Sequence, residues 1–132
     1  MKNYLIHELA KQTQLSVDSI RFYEKKNLIE PSFRAVNNYR YYDQEALKRL
    51  VFIKRCRALD MSLDEISQLM ELIRHPEQGC QVVDQLVEQH ILKVNEKIRE
   101  LQKFQSELQQ LRQLCQNDTT IDHCQIIKHL AD

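Results

Sequence analysis

Apolar and polar positions along this chain repeat with the spacing of helices, broken once by a short strand-like stretch. Ile6, Leu9 and Ala10 share a helical face and polar residues 12–14 follow, which predicts a short first helix and a turn. Ser16 is placed to cap a second helix, with Val17, Ile20 and Tyr23 or Glu24 along its faces, and Asn27 stands where a helix end often takes a left-handed residue. The unit reads helix, turn, helix. Pro31 and the largely polar residues 32–38 break the pattern. Tyr39, Arg40, Tyr41 and Tyr42, beside Asn37 and Asn38, are β-prone and predict a small hairpin, a candidate wing. Asp43 is an N-cap for a helix carrying Ala46, Leu47, Leu50, Val51 and Ile53. Ser62 and Glu65 form a capping box ahead of Ile66, Leu69, Met70 and Ile73.

The longest pattern covers residues 81–115. Val87, Val94, Leu101, Leu108 and Cys115 are spaced by sevens, with Ile91 and Ile98 between them. Gln105 and Arg112 interrupt the stripe, and Phe104 and Leu111 take it over one residue earlier. Such a stripe is a coiled-coil seam with a phase shift, too narrow to be buried inside one small domain, so it needs a partner helix. No second long helix is predicted, and the same helix of another copy is the expected partner, giving a two-fold homodimer. Residues 116–121 read as a loop and residues 125–130 as a final short helix.

Composition adds to this picture and then misleads. Among 132 residues Gly occurs once and Pro twice, which leaves no glycine-rich phosphate loop and favours long helices. The net charge of zero argues against a polyanionic partner until it is divided. Up to Arg57 there are twelve basic and six acidic residues, and beyond it seven basic and thirteen acidic, so the halves carry +6 and −6. The basic half can face DNA. The N-terminus has no secretory signal pattern and no run is apolar enough to span a membrane, so the expected location is the cytoplasm, without a membrane partner. In that reducing compartment four cysteines are expected as thiols, metal ligands or redox sensors rather than disulfides.

A DNA reader needs a helix for the major groove, cations for phosphates, and flanking contacts that fix register. Residues 17–26 supply the helix with Arg21, Lys25 and Lys26, while Arg34 and Arg40 lie around the wing and Tyr23, Asn38 and Tyr39 add polar groups. At this point the chain resembles the MerR family of bacterial transcription regulators. The resemblance is carried by IHELAKQTQLS, VDSIRFYEKKNLI, NNYRYYD and RALDMSLDEI, in that order. Asn27 departs from the glycine common in the family, and is the best non-glycine residue for a left-handed cap. The resemblance implies a mainly α fold: a winged helix-turn-helix domain with linking helices over residues 1–75, an antiparallel coiled-coil dimerisation helix over 79–115, and a metal-binding loop with a short terminal helix over 116–132. It also implies operator contacts from Val17, Ser19, Arg21, Tyr23, Arg34, Asn38, Tyr39 and Arg40, packing roles for Phe22, Leu28 and Tyr41, and RNA polymerase as a promoter partner.

The thiols divide by position. Cys56 lies inside a helix and reads as packing. Cys80, Cys115 and Cys124 fall at the start of the long helix, at its end, and in the adjacent loop. Within one chain a helix of that length holds Cys80 and Cys115 roughly 52 Å apart. In an antiparallel dimer Cys80 of the partner chain comes to Cys115, and Cys124 returns over an eight-residue loop. His123 beside it is a candidate nitrogen ligand, with a solvated surface histidine as the alternative. The arrangement resembles the metal-responsive branch of the family. A cysteine at Cys80 is similar to sensors of divalent ions, since the monovalent-ion sensors carry serine there. Zinc sensors have a Cys-Cys pair where this chain has Leu114-Cys115. RALDMSLDEI with LRQLC is most similar to the cadmium and lead sensors, which implies a soft divalent effector, Cd(II) or Pb(II) ahead of Hg(II) or Zn(II). The expected function is activation of a resistance or efflux promoter by distorting operator DNA. A thiol redox sensor on the same scaffold is the alternative, and an enzyme is not expected, because no nucleophile with a positioned base or open metal site can be argued.

Overall fold

The structure is a computed structural model describing residues 3–31, 33–34 and 39–132. Its elements run α1 (Ile6–Thr13), α2 (Val17–Lys25), β1 (Phe33–Arg34), β2 (Arg40–Tyr41), α3 (Gln44–Ala58), α4 (Leu63–Ile73), α5 (Gln81–Gln113), a 3₁₀ turn (Ile121–His123) and α6 (Gln125–Ala131). The chain folds as two compact units, Met1–Leu86 and Val87–Asp132.

Local chemistry sets the helix ends. Ser16 Oγ accepts the Ser19 N–H at 3.0 Å, Asp43 Oδ1 accepts the Ala46 N–H at 3.0 Å, and Ser62 and Glu65 exchange side-chain and backbone bonds at 3.1 and 2.9 Å. Each cap satisfies amide donors that the first helical turn cannot. At the other end of α2, Asn27 takes φ 63°, as its position suggested, and the Asn27 and Leu28 N–H groups return to the Glu24 and Tyr23 carbonyls. The end of α3 repeats the device, with Asp60 at φ 65° and the Asp60 and Met61 N–H groups on Arg57 and Cys56.

Gln14, after α1, is also left-handed at φ 60°. A left-handed L-residue costs roughly 1–2 kcal/mol, and glycine gives back part of that relief through its larger unfolded-state entropy. Gln14→Gly is therefore expected to raise stability by about 0.5–1 kcal/mol, seen as a higher midpoint in thermal or urea unfolding.

The core of the first unit gathers the inner stripes of four helices. Leu9 of α1, Ile20 of α2, Leu50 and Ile53 of α3 and Ile66 of α4 are fully buried, and Tyr42 joins them. β1 and β2 pair antiparallel, Phe33 facing Tyr41 and Arg34 facing Arg40. Beyond β2, Tyr42 makes a backbone bridge to Tyr4, with N–O distances of 2.7 and 2.8 Å, and this ties the start of the chain to the base of the wing.

In α5 the apolar stripe stands open. Val87, Ile91, Ile98, Leu101, Phe104 and Leu108 are all exposed, and His90 is the one buried residue among those described in the helix. The end of α5 and α6 share a cleft of about 490 Å³ lined by Glu107, Leu111, Leu114, His129 and Leu130.

Candidate nucleic-acid interface and thiol site

Helix α2 follows α1 after a three-residue turn and packs against it, so one face turns inward and the other outward. Ile20 and Tyr23, three residues apart, are inside, whereas Arg21, Phe22, Lys25 and Lys26 are outside. Val17 and Ser19 are partly buried at the start of the helix. Arg21 and Arg40 line two neighbouring clefts. One, of about 620 Å³, adds His7 and Tyr39, and the other, of about 480 Å³, adds Glu24, Lys25 and Pro31. The second helix and the wing thus present their guanidinium groups together. Tyr39 is 61% exposed beside them.

Two expectations change. Tyr23, expected as an operator contact, is buried at 8% exposure because it lies on the same inner stripe as Ile20, so its ring packs in the core. Phe22, expected as packing, is 45% exposed, with the Lys26 ammonium 5.7 Å from its ring centre. Leu28 is buried and Tyr41 half-buried. Asn38 and the side chain of Arg34 lie outside the described residues.

Part of the basic charge is used internally. Arg49 Nε donates to the Leu28 carbonyl at 3.0 Å, Lys54 Nζ to the Thr13 carbonyl at 2.7 Å, and Arg57 Nη1 to the Met61 carbonyl at 2.9 Å. These carbonyls sit at or just beyond the C-terminal ends of α1, α2 and α3, where a cation also complements the helix dipole. A count of basic residues in the sequence cannot separate these from the outward-facing ones. Nor does it show the partners of Glu24, whose carboxylate accepts from Arg40 Nη1 at 2.8 Å and from the Tyr42 hydroxyl at 3.2 Å. Burial, with the Glu24 carboxylate adjacent, pushes the Tyr42 phenol above its usual range, so it stays protonated and donates.

The four thiols sit in different surroundings. Cys56 is buried on α3, and burial pushes its thiol up, away from the reactive thiolate, as suits a packing residue. Cys80 is exposed just before α5, and it lines an apolar cleft of about 300 Å³ with Phe52, Leu69, Ile73 and Val83. Cys115 is exposed after α5, its Sγ donating to Asn117 Oδ1 at 3.3 Å. Cys124 is half-buried immediately before α6, its carbonyl accepting the Lys128 N–H, while exposed His123 belongs to the preceding turn. Among the described residues no three histidine, cysteine or acidic side chains are grouped within the chain so that they could hold a metal ion. No described helix is long and apolar enough to cross a membrane.

A capped helix-turn-helix with an outward basic second helix and a two-stranded wing defines a winged DNA-binding regulator. The chain belongs to the MerR family: residues 4–73 match the MerR HTH family regulatory protein and residues 47–111 the MerR DNA-binding region. It is a regulator and not an enzyme. A probable heavy metal-dependent transcriptional regulator of Haemophilus influenzae is 41% identical over 113 residues, 86% of this chain and 88% of its own. The HTH-type transcriptional regulator ZntR of Escherichia coli is 37% identical, over 85% of this chain and 80% of its own. The crystal structure of the transcription regulator PbrR691 from Ralstonia metallidurans CH34 in complex with lead(II) is 43% identical and covers 96% of this chain and 98% of its own, with a TM-score of 0.79.

Proposed function

We propose that the chain works as a homodimeric, metal-responsive transcription regulator in the cytoplasm, bound to a palindromic operator. It activates a resistance or efflux promoter by distorting operator DNA, and its effector is a soft divalent ion, Cd(II) or Pb(II) ahead of Hg(II) or Zn(II). The observation that carries this reading is the pairing of an uncovered apolar seam on α5 with exposed thiols at both ends of the same helix. A 33-residue helix spans about 50 Å, so its two ends do not meet. An antiparallel copy that covers the seam carries its own Cys80 to Cys115, and Cys124 joins them from the loop. Three accessible sulfur donors fit a large soft ion, which when bound supplies thiolate bonds linking the two subunits. The descriptions of the heavy metal-dependent relative and of the lead(II)-bound structure support the metal effector.

On the operator, Arg21 and Arg40 neutralise phosphates, with Val17, Ser19 and Tyr39 beside them and Arg34 and Asn38 from the wing. Two such surfaces, fixed by the dimer, read two half-sites, and a change in their relative setting bends the DNA between them so that RNA polymerase engages the promoter.

The test is transcription from the cognate promoter under anaerobic reducing conditions against Cd(II), Pb(II), Hg(II) and Zn(II) in competition. Cd(II) or Pb(II) is expected to act at the lowest concentration. A response to a thiol oxidant and to none of the metals would replace this reading with the redox sensor. In parallel, Arg21→Ala is expected to weaken operator binding roughly tenfold and to lower its salt dependence by about one released counterion. Unchanged affinity and slope would remove α2 from the interface.

A further inference from the structure

Glu24 sits on α2, the helix that carries Arg21, Lys25 and Lys26. A carboxylate on a DNA-facing helix repels phosphate unless something offsets it, so its presence there calls for a physical reason. Both of its oxygens are engaged. Oε1 accepts from Tyr42, a fully buried residue whose backbone is bridged to Tyr4, and Oε2 accepts from Arg40 on the wing. The Glu24 side chain is 14% exposed and that of Arg40 43%, so the carboxylate is anchored toward the core and holds the guanidinium at the surface.

We propose that Glu24 is a positioning residue for operator binding: it ties Arg40 of the wing to α2, so that wing and helix meet the DNA backbone as one fixed surface. The proposal rests on the DNA-binding reading given above. A guanidinium has five N–H donors in a rigid fork, and the bond to Glu24 uses one and sets the plane of the rest for phosphate. A long side chain that is free before binding loses rotamer freedom when it docks, and Glu24 removes part of that cost before DNA arrives. Tyr42 fixes Glu24 in turn. The order is buried phenol, half-buried carboxylate, exposed guanidinium.

This arrangement makes a prediction opposite in sign to charge counting. Deleting a negative charge next to a polyanion should tighten binding, whereas loss of a positioning residue weakens it. Glu24→Gln is expected to weaken operator affinity about fivefold to tenfold, the size typical of coupled neighbours, and to change it less than about twofold in an Arg40→Ala background. Tyr42→Phe, which keeps the ring in the core, is expected to act in the same direction by about twofold to threefold. It carries the same prediction if Glu24→Gln folds poorly by circular dichroism. Tighter or unchanged binding in Glu24→Gln, or an equal loss with and without Arg40, overturns the proposal, the last being the mark of a merely structural role. Arg40→Ala that leaves affinity and salt dependence unchanged overturns the wing's part in DNA binding itself.

Discussion

Cys80→Ser is expected to abolish tight binding of Cd(II) or Pb(II) and the thiolate-to-metal charge-transfer absorption that accompanies it, while leaving metal-free operator binding intact. A hydroxyl is a hard, protonated donor and replaces a soft thiolate poorly. Structural thiolate and imidazole sites are worth about 10–16 kcal/mol for roughly four ligands, so each contributes about 3 kcal/mol and its loss costs a hundredfold or more. The position of Cys80, exposed and a whole helix away from Cys115 in sequence, gives a sharper form of the experiment. Cys80→Ser and Cys115→Ser chains are each expected to bind poorly alone. Mixed and allowed to exchange subunits, they form a heterodimer in which the intact Cys80 of one chain meets the intact Cys115 of the other, and one of the two sites returns. If mixing restores nothing, the ligands do not come from two chains.

Ile53→Ala and Leu101→Ala are expected to separate the two kinds of apolar surface in this chain. Ile53 is fully buried among Leu9, Ile20, Leu50 and Ile66, and its truncation leaves a cavity, at a cost of about 3–4 kcal/mol. That is a large part of the 5–15 kcal/mol that holds a domain of this size. The loss is expected to appear as a drop in the urea midpoint of the same size at every protein concentration. Leu101 is 56% exposed in the chain by itself. Its truncation is expected to leave the fold of the first unit alone and to weaken self-association, so that the melting temperature falls more at low protein concentration than at high. A concentration-independent effect at Leu101 would leave the seam of α5 without its proposed partner.

These contrasts also mark how far the sequence can be read. Ser16, Asp43, Ser62 with Glu65, and Asn27 are legible because a cap is a matter of a few adjacent residues, and the structure gives each of them the expected bond or backbone angle. The long helix is legible from its seven-residue stripe, and it ends at Gln113 against the expected 115. Tyr23 lies inside and Phe22 outside because one residue turns a helix by about 100°, and only the packing of α2 on α1 decides which of two adjacent aromatics faces inward. The contacts of Glu24 with Arg40 and Tyr42 join residues sixteen and eighteen apart, and Lys54 reaches Thr13 across forty-one. No local pattern announces such pairs. Nor does any announce the Tyr4–Tyr42 bridge, a single pair one residue beyond β2. For the thiol site, the sequence shows which cysteines stand apart from the core, and the surroundings of Cys56 agree with its separate reading as packing.

The phase shift in the α5 stripe, where Phe104 rather than Gln105 continues the exposed apolar row, has a consequence of symmetry. In a dimer that sets Cys80 against Cys115, the two-fold axis passes the helix midway between them, at Lys97 and Ile98. Reflected through that midpoint along the chain, Val87 falls on Leu108, Ile91 on Phe104, and Val94 on Leu101. An irregular heptad row becomes a set of matched apolar pairs, and Gln105 would have broken one of them. At the axis each helix meets the same residues of its twin, so one substitution there acts on itself. Ile98→Asp would set two carboxylates against each other at the centre of the dimer.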